Sequence, residues 1–264
     1  MRHGDRLDGR RPHAGVSSAP PGAARSARHA PYSGTVTVEP ARPRLSPTTL
    51  RGLTRADEFD LDEGPTFDGL DFSGMDLGTL DLAGRAIPGA FFECDLSGVR
   101  LDGARLDEVE FSGCLLDGLG ASLLEAPSSR WRRGTISHSR IGAATLHGGR
   151  WEQMTVDGCR WGFVNLRGAH LEDVVFSQCV FEDLDLADAE LVRVAFQDCS
   201  ATSVTVRGAT MSDVDLRGLD VDDVDDAGGL RGATITPLQL AALGPSLARR
   251  LGIHVDDREG RLLG

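Results

Sequence analysis

The chain has 264 residues, room for one large domain or two small ones, with 33 glycines and only 5% aromatics, too lean for an ordinary globular core. Its net charge of -12 is uneven: residues 1–47 carry eight Arg against three acids, and residues 48–264 carry 20 Arg against 37 acids. That balance argues against nonspecific nucleic-acid binding by the folded part, and the absence of long apolar runs or a signal-peptide core predicts a cytoplasmic protein with no membrane partner.

Residues 1–47 are rich in Arg, Pro, Ala, Gly and Ser, with too little apolar content to offset ordering entropy, so a disordered basic tail is expected. Residues 48–64 are read as an N-terminal cap. A short helix is expected from Ser46 to Ala56, with Pro47 in its first turn and Leu50 and Leu53 on one face.

From Phe67 an apolar residue returns at every fifth position through Phe72, Leu77, Leu82 and Ile87, followed by a four-residue step to Phe91. From Phe91 the frame runs unbroken to Val221, diluted only by Ala121, Ala126 and Ala201. Five is neither the 3.6 of a helix nor the 2 of an ordinary strand; it marks a repeat. Two residues before each centre stands a second, smaller apolar residue, such as Cys94, Val99, Val109 or Cys114, so each unit points one small and one large side chain inward. The segment Asp117–Arg130 keeps the count but matches poorly, and reads either as degenerate repeats or as a bulge at Pro127.

After the repeats, Thr236-Pro237 reads as an N-cap followed by Pro at the first helical position, opening a helix that Gly244-Pro245 interrupts before it resumes at Ser246. Leu238, Leu240, Leu243, Leu247, Leu251 and Ile253 give this hairpin-like tail an apolar side, suited to a lid or to a dimer surface.

Units such as Ala169-His170-Leu171-Glu172-Asp173, Leu184-Asp185-Leu186-Ala187-Asp188 and Val214-Asp215-Leu216-Arg217-Gly218 resemble the A(D/N)LXX unit of the pentapeptide repeat family. The resemblance implies an all-β solenoid: a right-handed quadrilateral β-helix over residues 65–235, four units per coil, with a short α-helical C-terminal cap over 236–264. It marks the slot before the centre, which holds Asp95, Asp185 and Asp215, as one where Asp or Asn stabilises the turn. It also implies that a homodimer could form through C-terminal helices, as in gyrase-directed members. The 20-residue coil has independent support. Cys94 and Cys114, Cys159, Cys179 and Cys199, Trp131 and Trp151, and Phe176 and Phe196 each recur at intervals of 20.

A ladder of thiols on parallel rungs does not converge tetrahedrally on a metal, so the cysteines are expected to be free, small and apolar. The histidines do not converge, and no nucleophile elbow, phosphate loop or HExxH motif occurs, so neither an enzyme nor a cofactor is expected. The remaining candidates are outward charges that the fold does not dictate: Asp102, Glu108, Glu172, Asp173, Glu182, Asp183, Asp188, Asp198, Asp213, Asp222 and Asp223. To these are added Arg130, Arg132, Arg133 and Arg140, in a central stretch (Glu125 to Arg167) with seven Arg against three acids. Acidic blocks flank it, giving an acidic, basic, acidic order along the chain. The expected function is a non-catalytic scaffold that binds a protein partner. The alternative is a DNA mimic that modulates a type II topoisomerase such as DNA gyrase, which the resemblance to quinolone-resistance members suggests and the basic stretch opposes.

Overall fold

A computed structural model of the chain describes residues 39–56, 66–71, 89–102 and 105–255. The tail over residues 1–38 and the units between Phe72 and Pro88 lie outside them, as do residues 57–65, 103–104 and 256–264.

The repeats wind into a β-solenoid of about seven turns in which, from Ala90 to Val224, strand residues pair in parallel with those 20 positions on. Arg150–Asp157 lies beside His170–Ser177, and that strand beside Glu190–Gln197; Arg140–Thr145, Arg160–Asn165 and Val180–Asp185 stack the same way. Four units make one turn, and their centres form four inward columns. Wall one carries Phe91, Phe111, Trp131, Trp151, Leu171, Leu191 and Met211. Leu96, Leu116, Ile136, Val156, Phe176, Phe196 and Leu216 follow on wall two. Wall three carries Leu101, Ala121, Ile141, Trp161, Phe181, Ala201 and Val221, and wall four Leu106, Ala126, Leu146, Leu166, Leu186 and Val206. Nearly all are buried, as are the small residues two positions before them. With ~4.8 Å per rung, the six steps from Phe91 to Met211 span ~29 Å.

Like stacks on like inside. Phe91, Phe111, Trp131 and Trp151 form one stack with centroid spacings of 5.1, 4.1 and 5.4 Å. Phe176 stacks on Phe196 at 4.9 Å. The indole of Trp131 donates to Ser129 Oγ at 2.7 Å, whereas the buried Nε1 of Trp151 and of Trp161 find no acceptor. The five cysteines are free and buried, and their thiols donate to backbone carbonyls, as Cys179 does to Ser177 at 3.2 Å. Hydrogen bonding to Cys159 and Cys199, with burial, pushes the Cys179 thiol far up, so it stays protonated.

The corners explain the outward slots. Two residues after the centre, walls one, two and four turn with φ near +50 to +70°, as at Arg133, Asp173, Asp188, Asp198 and Gly168. At the wall-three corner none of Leu123, Ala143, Phe163, Asp183, Ser203 and Asp223 has a positive φ, and bulky apolar side chains sit there without left-handed strain. Asp95, Asp185 and Asp215 accept the N–H two residues on, at 2.9, 2.9 and 3.0 Å, so the slot before the centre does serve the turn.

Several expectations are corrected. The register is not 20 throughout: Phe67 pairs with Phe91, 24 positions on, and Val214 with Ala233, 19 positions on. Gly120–Glu125 pairs in register with Arg140–Thr145, and Leu119, Leu124 and Ala126 are buried; the stretch from 117 to 130 is therefore made of repeats, without a bulge. No helix forms over Ser46–Ala56. That stretch is irregular and extended, and Thr54–Arg55 pairs with Leu70–Asp71, because the backbone gains partners on the solenoid that an isolated turn would lack. Part of the expected tail, residues 39–47, is placed against the rod as an extended strap, described below.

At the other end Thr236 caps a single helix, Pro237–Arg250, through a capping box with Gln239. Gly244-Pro245 does not break it; the helix continues through Pro245, which withdraws only one N–H from the ladder. Gln239 Nε2 donates to the carbonyls of Leu216 and Leu219, both at 2.7 Å, pinning the helix onto the last complete coil. Leu243 is buried and Leu247 packs against the core, but Leu238, Leu240, Leu251 and Ile253 face outward. The apolar side that covers the core is thus narrower than the leucine pattern implies.

Candidate interaction surfaces

The candidate residues do not form one site. Arg130, Arg132, Arg133, Glu172, Asp173 and Asp213 belong to wall one and its corner, and Asp198 lies at the wall-two corner. Arg140, Asp102, Glu182, Asp183, Asp222 and Asp223 belong to wall three, and Glu108 and Asp188 to wall four. A charge run contiguous in sequence is distributed around a 20-residue turn, so the expected basic belt divides between opposite walls.

On wall one most charges are neutralised in place. Arg132 meets Glu152 at 3.1 Å, and Arg150 pairs with the same carboxylate. The hydrogen bond from Arg150 lowers the Glu152 pKa. Arg193 closes on two acids one rung away, its Nε 2.6 Å from Asp173 Oδ1 and its Nη2 2.6 Å from Glu172 Oε1. Asp173 was expected on the outside; it is only 5% exposed.

The cover over Asp173 is the strap. Glu39 meets Arg217 at 2.9 Å, the Ala41 N–H donates to Asp213 at 3.0 Å, and the Arg44 N–H to Asp173 Oδ1 at 2.8 Å. Ser46 Oγ then donates to Gln153 at 3.1 Å and Thr48 Oγ1 to the carbonyl of Arg133 at 2.9 Å. The contacts descend the corner between walls one and two against the direction of winding. Ala41 to Arg44 crosses two rungs in three residues, ~10 Å by rung spacing and by extended chain alike. Pro40 is buried in this strap, and Val175 and Ala195 beneath it are 9% and 7% exposed. Arg193 is the first cause of the lowered Asp173 pKa, with the Arg44 N–H contributing. Periodicity gave no sign of the strap, since it lies outside the repeats. The signal available was the spacing of Pro40, Pro43 and Pro47, which favours an extended chain.

On wall three Asp102 accepts the Ser122 N–H at 2.6 Å, and Asp223 bonds Ser246 and Arg250 of the C-terminal helix. Burial and the neighbouring Asp185 raise the Asp183 pKa. Arg140 and Arg160 are exposed and pair in register on adjacent rungs, with no carboxylate in ion-pair range among the described residues. Glu108, Glu182, Asp198 and Asp222 likewise have no ion pair among the described residues. No group of three or more His, Cys, Asp or Glu side chains among the described residues could hold a metal, and none of the described helices is long and apolar enough to cross a membrane.

Eight copies of the pentapeptide repeat match the chain over residues 91–119 and 162–198. These matched units are pentapeptide repeats, and they share the 20-residue register and the four inward columns of the solenoid around them. Among solved structures it is similar to full-length QnrB1, a plasmid-mediated fluoroquinolone resistance protein, at 17% identity over 71% of this chain and 100% of that one, with a TM-score of 0.27. A trypsin-treated form of QnrB1 matches at 19% identity over 72% and 97%, with a TM-score of 0.31. HetL, a pentapeptide repeat protein involved in heterocyst differentiation regulation from the cyanobacterium Nostoc sp. strain PCC 7120, matches at 16% identity over 62% and 90%, with a TM-score of 0.31. A search of curated proteins finds no match.

Proposed function

We propose that the protein is a non-catalytic, cytoplasmic scaffold whose outer walls bind a protein partner. The observation that carries this reading is the division of labour within each unit. The inward residues seal a core along the rod, and the outward slots differ from wall to wall in charge and apolarity. Such a surface recognises another surface through many small contacts spread over flat walls, whereas catalysis needs groups converging in a concave site. The buried thiols and neutralised acids take part in the architecture and leave little for bond chemistry.

Affinity capture from native lysate at two salt concentrations tests the reading. A scaffold retains a partner at high salt, whereas a DNA mimic, held by exposed charge, releases it steeply. Mimicry of a duplex on a type II topoisomerase such as DNA gyrase remains the second reading, favoured by the free carboxylates of Glu108, Glu182, Asp198 and Asp222. The unpaired Arg140 and Arg160 interrupt its negative surface. A supercoiling assay separates the two: inhibition or protection at micromolar protein in low salt favours mimicry, and no effect favours the scaffold. Capture of no partner at either salt would remove the scaffold reading.

A further inference from the structure

We propose that wall three, between the rungs of Ala121 and Phe181, is a docking face for a short acidic segment of a partner protein. That segment would bear a carboxylate and an apolar side chain two or three residues apart. The inference rests on the scaffold reading and adds the place and the recognised chemistry.

Three independent features meet on this wall. First, Arg140 and Arg160 stack in register, so two like charges face each other across one rung of ~4.8 Å. Elsewhere the solenoid relieves such a pair: Arg150, stacked on Arg130, has Glu152. Arg140 and Arg160 have no such relief, although acids abound in the sequence. Second, the exposed large apolar side chains of the described solenoid walls are Leu123, Phe163 and Val180, all on this wall or its corner. Those not on the walls belong to the strap, the C-terminal helix or the residues after it. Third, Gly142 and Gly162 lie between the arginine and apolar columns. A Cβ on Gly142 would stand 2.7 Å from the Ser122 carbonyl oxygen, and one on Gly162 would collide with that of Gly142. The bare backbone leaves a shallow floor with no side chain projecting from it.

The dimensions select the occupant. From the Arg140 column to the Ala143 column is three residues of strand, ~10 Å, the reach of a carboxylate and an apolar group two or three residues apart on an extended chain. Ala143 sits between Leu123 and Phe163 in their corner column, leaving a dip that an apolar side chain would fill. The cationic patch is only two rungs tall. Val180 follows Arg160 in its column, and Glu182 and Asp183 flank the next rung. A nucleic-acid strand would run its phosphates onto those acids, whereas one short acidic motif fits within the patch.

The test is a random-peptide phage library panned on the full chain, with enriched peptides measured by fluorescence anisotropy against wild type, Arg140→Gln/Arg160→Gln and Phe163→Ser. These side chains are exposed, and unchanged thermal melting verifies that each variant is folded. Enriched peptides are expected to carry Asp or Glu two or three positions from a Leu, Ile, Val or Phe. The double variant should bind them about tenfold or more weakly, equivalent to losing one charge-assisted hydrogen bond, and Phe163→Ser severalfold more weakly. Enrichment without acids, or equal binding by the variants, overturns the proposal. So does binding of a short oligothymidylate that the double variant loses, because the patch would then be a nucleic-acid site. If lysate capture retains a partner equally with wild type and the double variant, the scaffold reading stands and this face is not its site. Loss of all capture by the wild type removes the scaffold reading itself.

Discussion

At the scale of single residues, the repeat repeats everything except its polar exceptions. Ser129 accepts from the Trp131 indole and donates to the Ala126 carbonyl at 2.6 Å, fully buried. One rung on, the same slot is Gly149, and the Trp151 indole has no partner. Ser129→Ala would leave a second buried indole unpaired and is expected to cost about 1–3 kcal/mol in urea unfolding, where a loss below the error of the measurement would refute the account. Asp173 is the other exception. Its pKa is depressed by Arg193 and the Arg44 N–H, so its stabilisation is present above the unfolded value of ~3.9 and is lost as pH falls through the lower folded value. Strap docking should therefore weaken in acid but not between neutral and mildly alkaline pH. Hydrogen exchange at the Arg44 amide reports it directly. Asp173→Asn, which keeps an acceptor for Arg44 but strands Arg193 with Glu172 alone, should speed that exchange at neutral pH and cost about 2 kcal/mol.

At the scale of elements, the helix and the strap show what kind of information a sequence carries locally. Thr236-Pro237 with Gln239 three residues past the cap is a complete start signal, and the helix begins there, with Thr236 Oγ1 accepting from Gln239 N at 3.1 Å. Thr236→Ala should cost about 1 kcal/mol and Leu243→Ala about 2–5, both read from chemical denaturation; equal, negligible effects would show that the helix does not hold the last coil. Where the helix ends was not legible, because Gly244-Pro245 reads as a break only if packing is ignored. Leu243, Ser246 and Leu247 lie on both sides of that pair against the coil, and the contacts carry the helix through it. The strap was illegible for the opposite reason. Its partners are single polar atoms at Asp213, Asp173, Gln153 and Arg133, separated from it by up to 172 residues, and no local pattern encodes them. The columns of the solenoid, by contrast, were readable because every rung repeats the same steric demand. The walls were less readable, since residues adjacent in sequence face different directions. The arginines of the Arg130–Arg167 stretch are spread over walls one, three and four for that reason alone.

At the scale of the whole molecule, a solenoid in which each rung touches only its neighbours should unfold as a chain of weakly linked units. Phe196, 2% exposed, stacks on Phe176 and meets Phe181 edge-on at 6.5 Å. Phe196→Asp removes about 2–3 kcal/mol of apolar burial and adds a buried charge, so coils around it should lose protection from hydrogen exchange. How far that loss spreads depends on the strap. It bonds to rungs from Thr48 at Arg133 to Glu39 at Arg217, so opening any rung between them strains contacts several coils away. The strap therefore converts a one-dimensional array into a more cooperative unit over the C-terminal half. Removal of residues 1–48 should lower the melting temperature and also broaden the transition, with the van't Hoff enthalpy falling below the calorimetric one. In that truncated chain Phe196→Asp should leave the Phe111–Trp151 stack protected, whereas in the full chain the damage should reach the Trp151 rung. Equal spread in the two backgrounds would mean that the strap merely lies on the rod and that cooperativity comes from rung stacking alone.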